Sequence, residues 1–414
     1  MTNEKLSDSF ASIDIFEKFP TLKRTAEQVF AVDDFREKLE SRKPLRIKYG
    51  VDVTAPFLHI GHAVNLWAMR EMQEQGHKVV FLIGDFTTRI GDPTGKSKTR
   101  PKIDSGQIER DAQGFIKQVS EILLTDPTVF EVRRNSEWWE TMSVDRLMEL
   151  LSLVTYAKLI QRDMFQRRIA QDAEIYMHEM LYPILQGYDS YELGSDLTIV
   201  GTDQLFNELM GRFYQERMGG NPQTVITTKI TPGIDGREKQ SKSLGNYIAV
   251  SDSPRDMFGK AMSLPDNLTS EFLEVYTLVP MERISQMGAA MRAGELNPME
   301  VKRVLGQALV ERYYDKDAAI QENEWFTKVF SRRSIPEDVP IVNLANTDAT
   351  LFEILKVCMS SESSSELRRL VQYGSVRLGG EEKLTDPDQR HAVTSGSVLR
   401  VGKRRWFRIV LGEL

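Results

Sequence analysis

Through its first half the chain alternates between short, wholly apolar runs and longer stretches of helix-forming residues. Arg46–Val51 reads as a short strand, and Val79–Ile83 is an unbroken apolar run that stops at Gly84 and Asp85. A run that is apolar on both sides of the backbone suits a strand covered on both faces, as in a parallel sheet. Val64–Gln75 is rich in helix formers and ends at Gly76, a helix-stop signal. A helix over about 107–124, a strand at Val129–Arg133, a helical stretch from about Val144 and a strand at Leu197–Val200 follow. Strand and helix in alternation predict an α/β domain built on a parallel sheet.

After about residue 250 the pattern changes. Residues 252–333 carry a mostly helical pattern punctuated by Pro265, Pro280 and Pro298. Ser334–Asn346 is polar and Pro-bearing and reads as a linker. Residues 347–414 read as a small α+β module, with helices near Leu351–Cys358 and Ser365–Tyr373 and then strands up to Val410. Residues 1–20 are polar apart from an apolar stretch around Ile13–Phe19, and no internal repeat is seen.

Composition adds domain count and charge. At 414 residues the chain exceeds one ordinary core, so two or three domains are expected. The formal net charge of -6 does not advertise a nucleic-acid partner. It hides an asymmetry: residues 365–414 hold ten Lys/Arg against six Asp/Glu, a net of +4, which leaves -10 for the rest. A basic tail on an acidic body suggests that the tail meets a polyanion. Cys358 is the sole cysteine, so neither an intramolecular disulfide nor a Cys-based zinc site can form. The polar start, Met1–Phe10, is unlike a signal peptide, and no apolar run reaches the ~18–20 residues that span a bilayer. A cytoplasmic protein with no membrane partner is expected.

Two segments carry chemistry. His59-Ile60-Gly61-His62 follows a strand and loop and opens a helix. A helix N-terminus offers unpaired N–H groups to phosphate, Gly61 lets a ligand approach the backbone, and two imidazoles can donate to phosphate oxygens. The same residues could simply cap a helix, but two of the chain's five histidines sit here. Lys239-Gln240-Ser241-Lys242-Ser243 lies after the turn-rich Pro232–Gly236. Two lysines in a small hydroxyl-bearing loop suit a triphosphate and its leaving pyrophosphate. Taken alone, this segment reads equally as a solvated basic loop.

Together the two segments resemble the HIGH and KMSKS signatures of class I aminoacyl-tRNA synthetases. The first matches letter for letter; the second has Gln240 in place of Met and keeps both lysines. The run from Gly84 to Pro101, with Asp92, Gly95, Lys96 and Arg100 within it, is similar to that of bacterial tyrosyl-tRNA synthetases. It is not a nucleotide P-loop, because Ile90 stands where a Walker motif needs glycine. The resemblance extends over nearly the whole chain. Ser364–Val376 is similar to an S4 RNA-binding domain.

The resemblance implies a Rossmann-like parallel-sheet catalytic domain over 1–247 with a helical insertion at about 130–180. An α-helical domain over 248–335, a linker at 336–346 and a small α+β S4-like RNA-binding domain over 347–414 follow. It implies tyrosine activation with ATP and transfer to tRNA-Tyr, with Mg²⁺ travelling with ATP, no dedicated metal site, and a homodimer. His59, His62, Lys239 and Lys242 are the implied catalytic residues. Asp52, Thr54, Gly61, Gly201 and Asp203 join them in holding ATP. Asp92, Tyr182, Gln186 and Gln204 match tyrosine-binding positions, and Asp189 matches the acceptor of the phenol hydroxyl. Lys96, Arg100, Arg368, Arg369, Lys403, Arg404 and Arg405 are implied to face tRNA. Many relatives have a tyrosine where this chain has Lys48, and a proline where it has Val53. That departure leaves room for a paralogue activating a tyrosine-like amino acid; a non-catalytic RNA-binding protein is the other alternative.

Overall fold

The computed structural model describes residues 14–53, 58–91, 104–241, 244–331, 339–344, 347–379, 383–402 and 405–411. The chain divides into two compact units, Met1–Ala319 and Ile320–Leu414. The first is organised by a six-stranded sheet of β1 (Ala26–Phe30), β2 (Arg46–Val51), β3 (Lys78–Ile83), β4 (Phe130–Arg134), β5 (Leu197–Gly201) and β6 (Thr224–Thr228). The strand order is β1-β6-β5-β2-β3-β4. Strands β2 to β6 run parallel to their neighbours, and β1 lies antiparallel on the edge against β6.

The sheet is therefore mixed rather than wholly parallel, and the sequence pattern anticipated neither β1 nor β6. β6 reads Thr-Val-Ile-Thr-Thr, yet every residue is buried. Its threonines look polar but are β-branched and fit a pleated surface, and the Thr228 hydroxyl donates to Asn65 Oδ1 at 2.7 Å. β1 is a half-buried edge strand with a register shift between Ala26 and Gln28, so its alternation is broken.

Successive side chains of a strand point to opposite faces. Ile47, Tyr49, Val79, Phe81 and Ile83 pack on one face with the helices Ile60–Gln73 and Ser105–Ser120. Val80 and Leu82 pack on the other with the helices Met177–Glu192 and Leu205–Arg217. Each fully buried Val, Ile, Leu or Phe contributes roughly 1.5–3 kcal/mol of transfer free energy. The unbroken apolar run of β3 thus fastens both helix layers to one strand.

From β2 the chain steps through β3 to β4, then returns to β5 on the other side of β2. The carboxyl ends of β2 and β5 form the switch point at which such sheets hold ligands. β2 registers with β3 from Arg46↔Lys78 to Val51↔Ile83, but with β5 only at Ile47↔Leu197 and Lys48↔Thr198. Past Lys48 the two strands part, and a cleft opens between them.

Helices follow the sheet: Pro254–Met262, Thr269–Tyr276, Met281–Ala293, Pro298–Tyr313 and Lys316–Phe326. Pro254 and Pro298 occupy first-turn positions, where proline's missing N–H has no helical partner to lose.

The second unit holds β7 (Ile341–Leu344), β8 (Asp348–Thr350), the helices Leu351–Cys358 and Ser364–Gln372, β9 (Val376–Leu378), β10 (Arg390–Ala392), β11 (Val398–Val401) and β12 (Arg405–Leu411). The order β7-β12-β11-β9 makes a four-stranded sheet, and β10 pairs with β8. Leu351, Ile354, Leu355, Leu367, Val371 and Leu399 are at its core. Among the described residues, no helix is long and apolar enough to cross a membrane.

Candidate active site

The two signature segments, far apart in sequence, meet through a backbone ladder. Ile60 N–H donates to Ile248 O and Val250 N–H donates to Leu58 O, each at 2.9 Å, and His59 bridges to Ala249. His59 thus sits at the head of the helix Ile60–Gln73 and directly against the segment that follows the second signature. The His59 and His62 rings lie 3.8 Å apart between centroids. His62 Nδ1 accepts the His59 backbone N–H at 3.4 Å. A neutral ring that accepts at Nδ1 carries its proton on Nε2, the atom with which it can donate.

The second signature is clasped by Asn246, which is buried. Its Oδ1 accepts Ser241 N–H at 2.8 Å, and its Nδ2 donates to Asp235 Oδ1 at 3.1 Å. A Cβ on Gly233 would lie 2.2 Å from that amide nitrogen, so the turn requires glycine. Lys239 Nζ lies 2.9 Å from Asp203 Oδ2, across the mouth of the cleft from the carboxyl end of β5. Both partners are substantially exposed, at 55% and 33%, so the pair is weak and exchangeable for a phosphate.

The blind end of the cleft is built by the helix Met177–Glu192. Tyr182, Gln186 and Asp189 fall on one face of this helix. Taken from the sequence alone they suit an outward polar face; here Tyr182 and Asp189 are buried and all three line the cavity. Tyr182 donates its hydroxyl to Asp52 Oδ2 at 3.0 Å, and Thr87 donates to Asp52 Oδ1 at 2.7 Å. Asp189 Oδ1 accepts both indole N–H groups, Trp138 Nε1 and Trp139 Nε1, at 2.8 Å each. Asn135 Nδ2 reaches Asp189 Oδ2 at 3.2 Å. Burial raises the Asp189 carboxyl to about 6, against the opposing pull of Trp139, Lys48, Asn135 and Trp138.

Lys48, at the last paired position of β2 beside β5, is buried and lines the same cavity. Its Nζ lies 2.8 Å from Glu208 Oε2 and donates to Ser190 Oγ at 2.7 Å. Glu208 also accepts Gln186 Nε2 at 2.7 Å and Gln223 Nε2 at 2.9 Å. Asn207 Nδ2 donates to Gln186 Oε1 at 2.9 Å and to Gln204 Oε1 at 3.0 Å. The Gln186 oxygen has a second lone pair left to accept from a ligand ammonium.

The cavity has a volume of about 810 Å³ and brings together Asp52, His59, Gly61, His62, Tyr182, Gln186, Asp189, Gly201, Asp203, Gln204 and Lys239. Thr54, Asp92, Lys96, Arg100, Lys242, Lys403 and Arg404 lie outside the described residues. Arg368, Arg369 and Arg405 belong to the second unit. Sequence reasoning missed Asn135, Trp138, Trp139, Glu208 and Thr87. The signal for the first three was position, since they follow the carboxyl end of β4, where parallel sheets present ligand-facing groups.

The family model of class I tRNA synthetases (W and Y) matches residues 40–331. The chain is 40% identical over 392 residues to the tyrosine–tRNA ligase of Moorella thermoacetica, covering 94% of each chain. It is 41% identical over 401 residues to that of Geobacter sulfurreducens, covering 95% of this chain and 99% of the relative. A C-terminally truncated mitochondrial tyrosyl-tRNA synthetase of Aspergillus nidulans shares the fold, with a TM-score of 0.60 at 20% identity over 75% of this chain and 94% of that one. With both signatures at the head of one cleft and relatives matched along nearly their full length, the chain belongs to the class I tRNA synthetases of the tryptophan and tyrosine family, among the tyrosine–tRNA ligases.

Proposed function

We propose that the chain activates L-tyrosine with ATP to tyrosyl-adenylate and pyrophosphate, then transfers the tyrosyl group to the 3′ end of tRNA-Tyr. The observation that carries this reading is Asp189, a carboxylate at the closed end of the cleft. Three protein donors hold it, and Oδ2 keeps capacity to accept a phenol O–H. Lys48 gives no support to a tyrosine-like analogue, because its ammonium is already paired with Glu208 and donates to Ser190.

In the first step a tyrosine carboxylate oxygen attacks the α-phosphorus, and the bond to the bridging oxygen of the β-phosphate breaks. In the second, a ribose hydroxyl of tRNA attacks the acyl carbon, AMP leaves, and the hydroxyl proton departs to solvent or phosphate. Tyr182, Gln186 and Asp92 hold the ammonium, and Gln204 faces the substrate carboxylate. Asp52, Thr54, Gly61, Gly201 and Asp203 hold the nucleotide. His59 and His62 donate to the phosphate that gathers charge, while Lys239 and Lys242 hold the β- and γ-phosphates. Such a site works by positioning and charge stabilisation, without a covalent intermediate on the enzyme. Mg²⁺ would be carried by the phosphates.

Residues 1–247 form the catalytic domain in this reading, 248–335 a helical domain and 347–414 an S4-like RNA-binding domain; of the expected linker 336–346, Ile341–Leu344 is strand β7 and pairs with β12 in the sheet of the second unit. Lys96, Arg100, Arg368, Arg369, Lys403, Arg404 and Arg405 face tRNA. Arg368 pairs with Asp388 at 3.1 Å, Arg369 with Glu366 at 3.5 Å and Arg405 with Glu362 at 3.0 Å. Exposed pairs of this kind give way to phosphates at little cost. A second copy of the chain would cover the apolar side chains Val144, Met148, Tyr156, Ile169 and Met177, which are exposed around the insertion; Met148→Glu would then sediment as a monomer. Pyrophosphate exchange over a panel of amino acids tests the activity. Exchange with tyrosine is expected; exchange with another amino acid and none with tyrosine would overturn the reading.

A further inference from the structure

Gln240 stands where the resembled signature has methionine. Its side chain is buried at 7% exposure. Nε2 donates to the Tyr276 hydroxyl at 2.8 Å and lies 3.4 Å from Thr231 Oγ1. The Tyr276 and Thr231 hydroxyls are hydrogen-bonded to each other. Gln240 Oε1 is buried and has no hydrogen-bond partner among the described residues. The two ends of an amide are assigned from such a network, and either orientation keeps Gln240 bonded to Tyr276. An amide left half satisfied is a poor choice for packing alone, since a thioether fills the same space without burying an unpaired carbonyl.

Tyr276 is a fixed post. It closes the helix Thr269–Tyr276 and is buried. Its carbonyl accepts Arg312 Nη1 at 3.1 Å, and the Arg312 guanidinium lies 4.7 Å from the ring centroid of Trp67. Trp67 belongs to the helix that carries His62. Tyr276 is thereby linked through Arg312 to the first signature and through Gln240 to the second, at the residue next to Lys239.

We propose that Gln240 is a positioning residue, whose hydrogen bond to Tyr276 sets where Lys239 stands relative to His59 and His62. This rests on the reading of the cleft as an ATP-dependent tyrosine-activating site. A methionine at this position has no N–H with which to make the link, and a phenylalanine at 276 has no hydroxyl with which to receive it.

The test uses the full chain with Gln240→Ala, Gln240→Met and Tyr276→Phe, and the double variant of Gln240→Ala with Tyr276→Phe. In pyrophosphate exchange each single variant is expected to lower kcat/KM for ATP by about 10-fold, the worth of one hydrogen bond. KM for tyrosine is expected to stay within about twofold, and the double variant to match the singles, because both remove the same bond. Amide hydrogen exchange over residues 238–246 is expected to rise by about 10-fold in each variant, a readout that does not depend on activity. Losses that multiply in the double variant, tyrosine and ATP parameters that fall together, or unchanged protection of 238–246 would overturn the proposal. A wild-type chain that exchanges pyrophosphate with no tyrosine dependence would sink the functional reading instead, and the hydrogen-exchange comparison would still decide the tether.

Discussion

The ammonium of Lys48 lies 2.8 Å from the Glu208 carboxylate, and both side chains are 2% exposed. A buried pair of this kind stabilises little over an apolar pair of the same shape, but stranding one member is costly. Lys48→Met, which leaves Glu208 buried without its cation, is expected to destabilise the chain by about 3–5 kcal/mol. Adding Glu208→Gln removes the stranded charge and is expected to recover most of that loss. Urea denaturation of both variants checks this; a double variant as unstable as the single would show that Glu208 is not the partner that matters.

Asp189 makes the amino-acid end sensitive to pH. Its carboxyl is raised from the ordinary 3.8 to about 6, chiefly by burial. The folded chain therefore binds this proton more tightly than the unfolded chain. The cost of ionising the buried group is absent below 3.8 and fully present above about 6. This group's contribution to stability falls as pH rises through that window. Recognition runs the other way, since an ionised carboxylate is the stronger acceptor for a phenol O–H. KM for tyrosine is expected to climb as pH drops from about 7.5 to about 5.5, while KM for phenylalanine changes little. Parallel changes for both amino acids would remove Asp189 as the discriminating group. Asp189→Asn is expected to lower kcat/KM for tyrosine by about 10- to 150-fold, the span for a hydrogen bond to a charged group.

Lys239 pairs with Asp203 at 2.9 Å, and both are partly exposed. A contact that weak holds the lysine near the carboxyl end of β5 without competing strongly with a triphosphate. Lys239→Ala is expected to lower kcat for pyrophosphate exchange by about 10²–10³-fold and leave KM for tyrosine within about twofold. Steady-state kinetics with each substrate varied in turn separates the two. A loss confined to KM for tyrosine would place Lys239 outside the phosphate machinery.

Much of this arrangement was legible in the sequence, and what was not has physical reasons. β2 and β3 announced themselves because the interior of an α/β sheet demands apolar residues on both faces, which Val79–Ile83 supplies. β6 did not, because its threonines carry hydroxyls that a pattern of polarity counts as exposed. Lys48 looked like a departure in a tyrosine pocket because a lone lysine in a strand gives no sign of its partner. Glu208 comes from a helix far along the chain, and only the fold brings the two together. Trp138 and Trp139 were hidden for the same reason: nothing local to them records that Asp189 lies opposite. The two signatures were readable because each is a local pattern, while the ladder between Leu58–Ile60 and Ile248–Val250 that joins them was not.

Gly187 sits between Gln186 and Asp189 on the helix that lines the blind end of the cleft. A Cβ there would lie 2.9 Å from the Met210 carbonyl carbon and 3.0 Å from its oxygen. These are backbone atoms of the neighbouring helix Leu205–Arg217, so a flexible side chain cannot simply swing away. Gly187→Ala must push the two helices apart by a few tenths of an ångström, and overpacking of this kind costs about 1–3 kcal/mol. Glu208, on that second helix, fixes Gln186 and Lys48, so the same displacement loosens the amino-acid pocket. The expected outcome is a lower urea midpoint together with a KM for tyrosine raised more than the KM for ATP. A variant as stable as the parent with both KM values unchanged would mean that the helix pair yields at this point without disturbing the site.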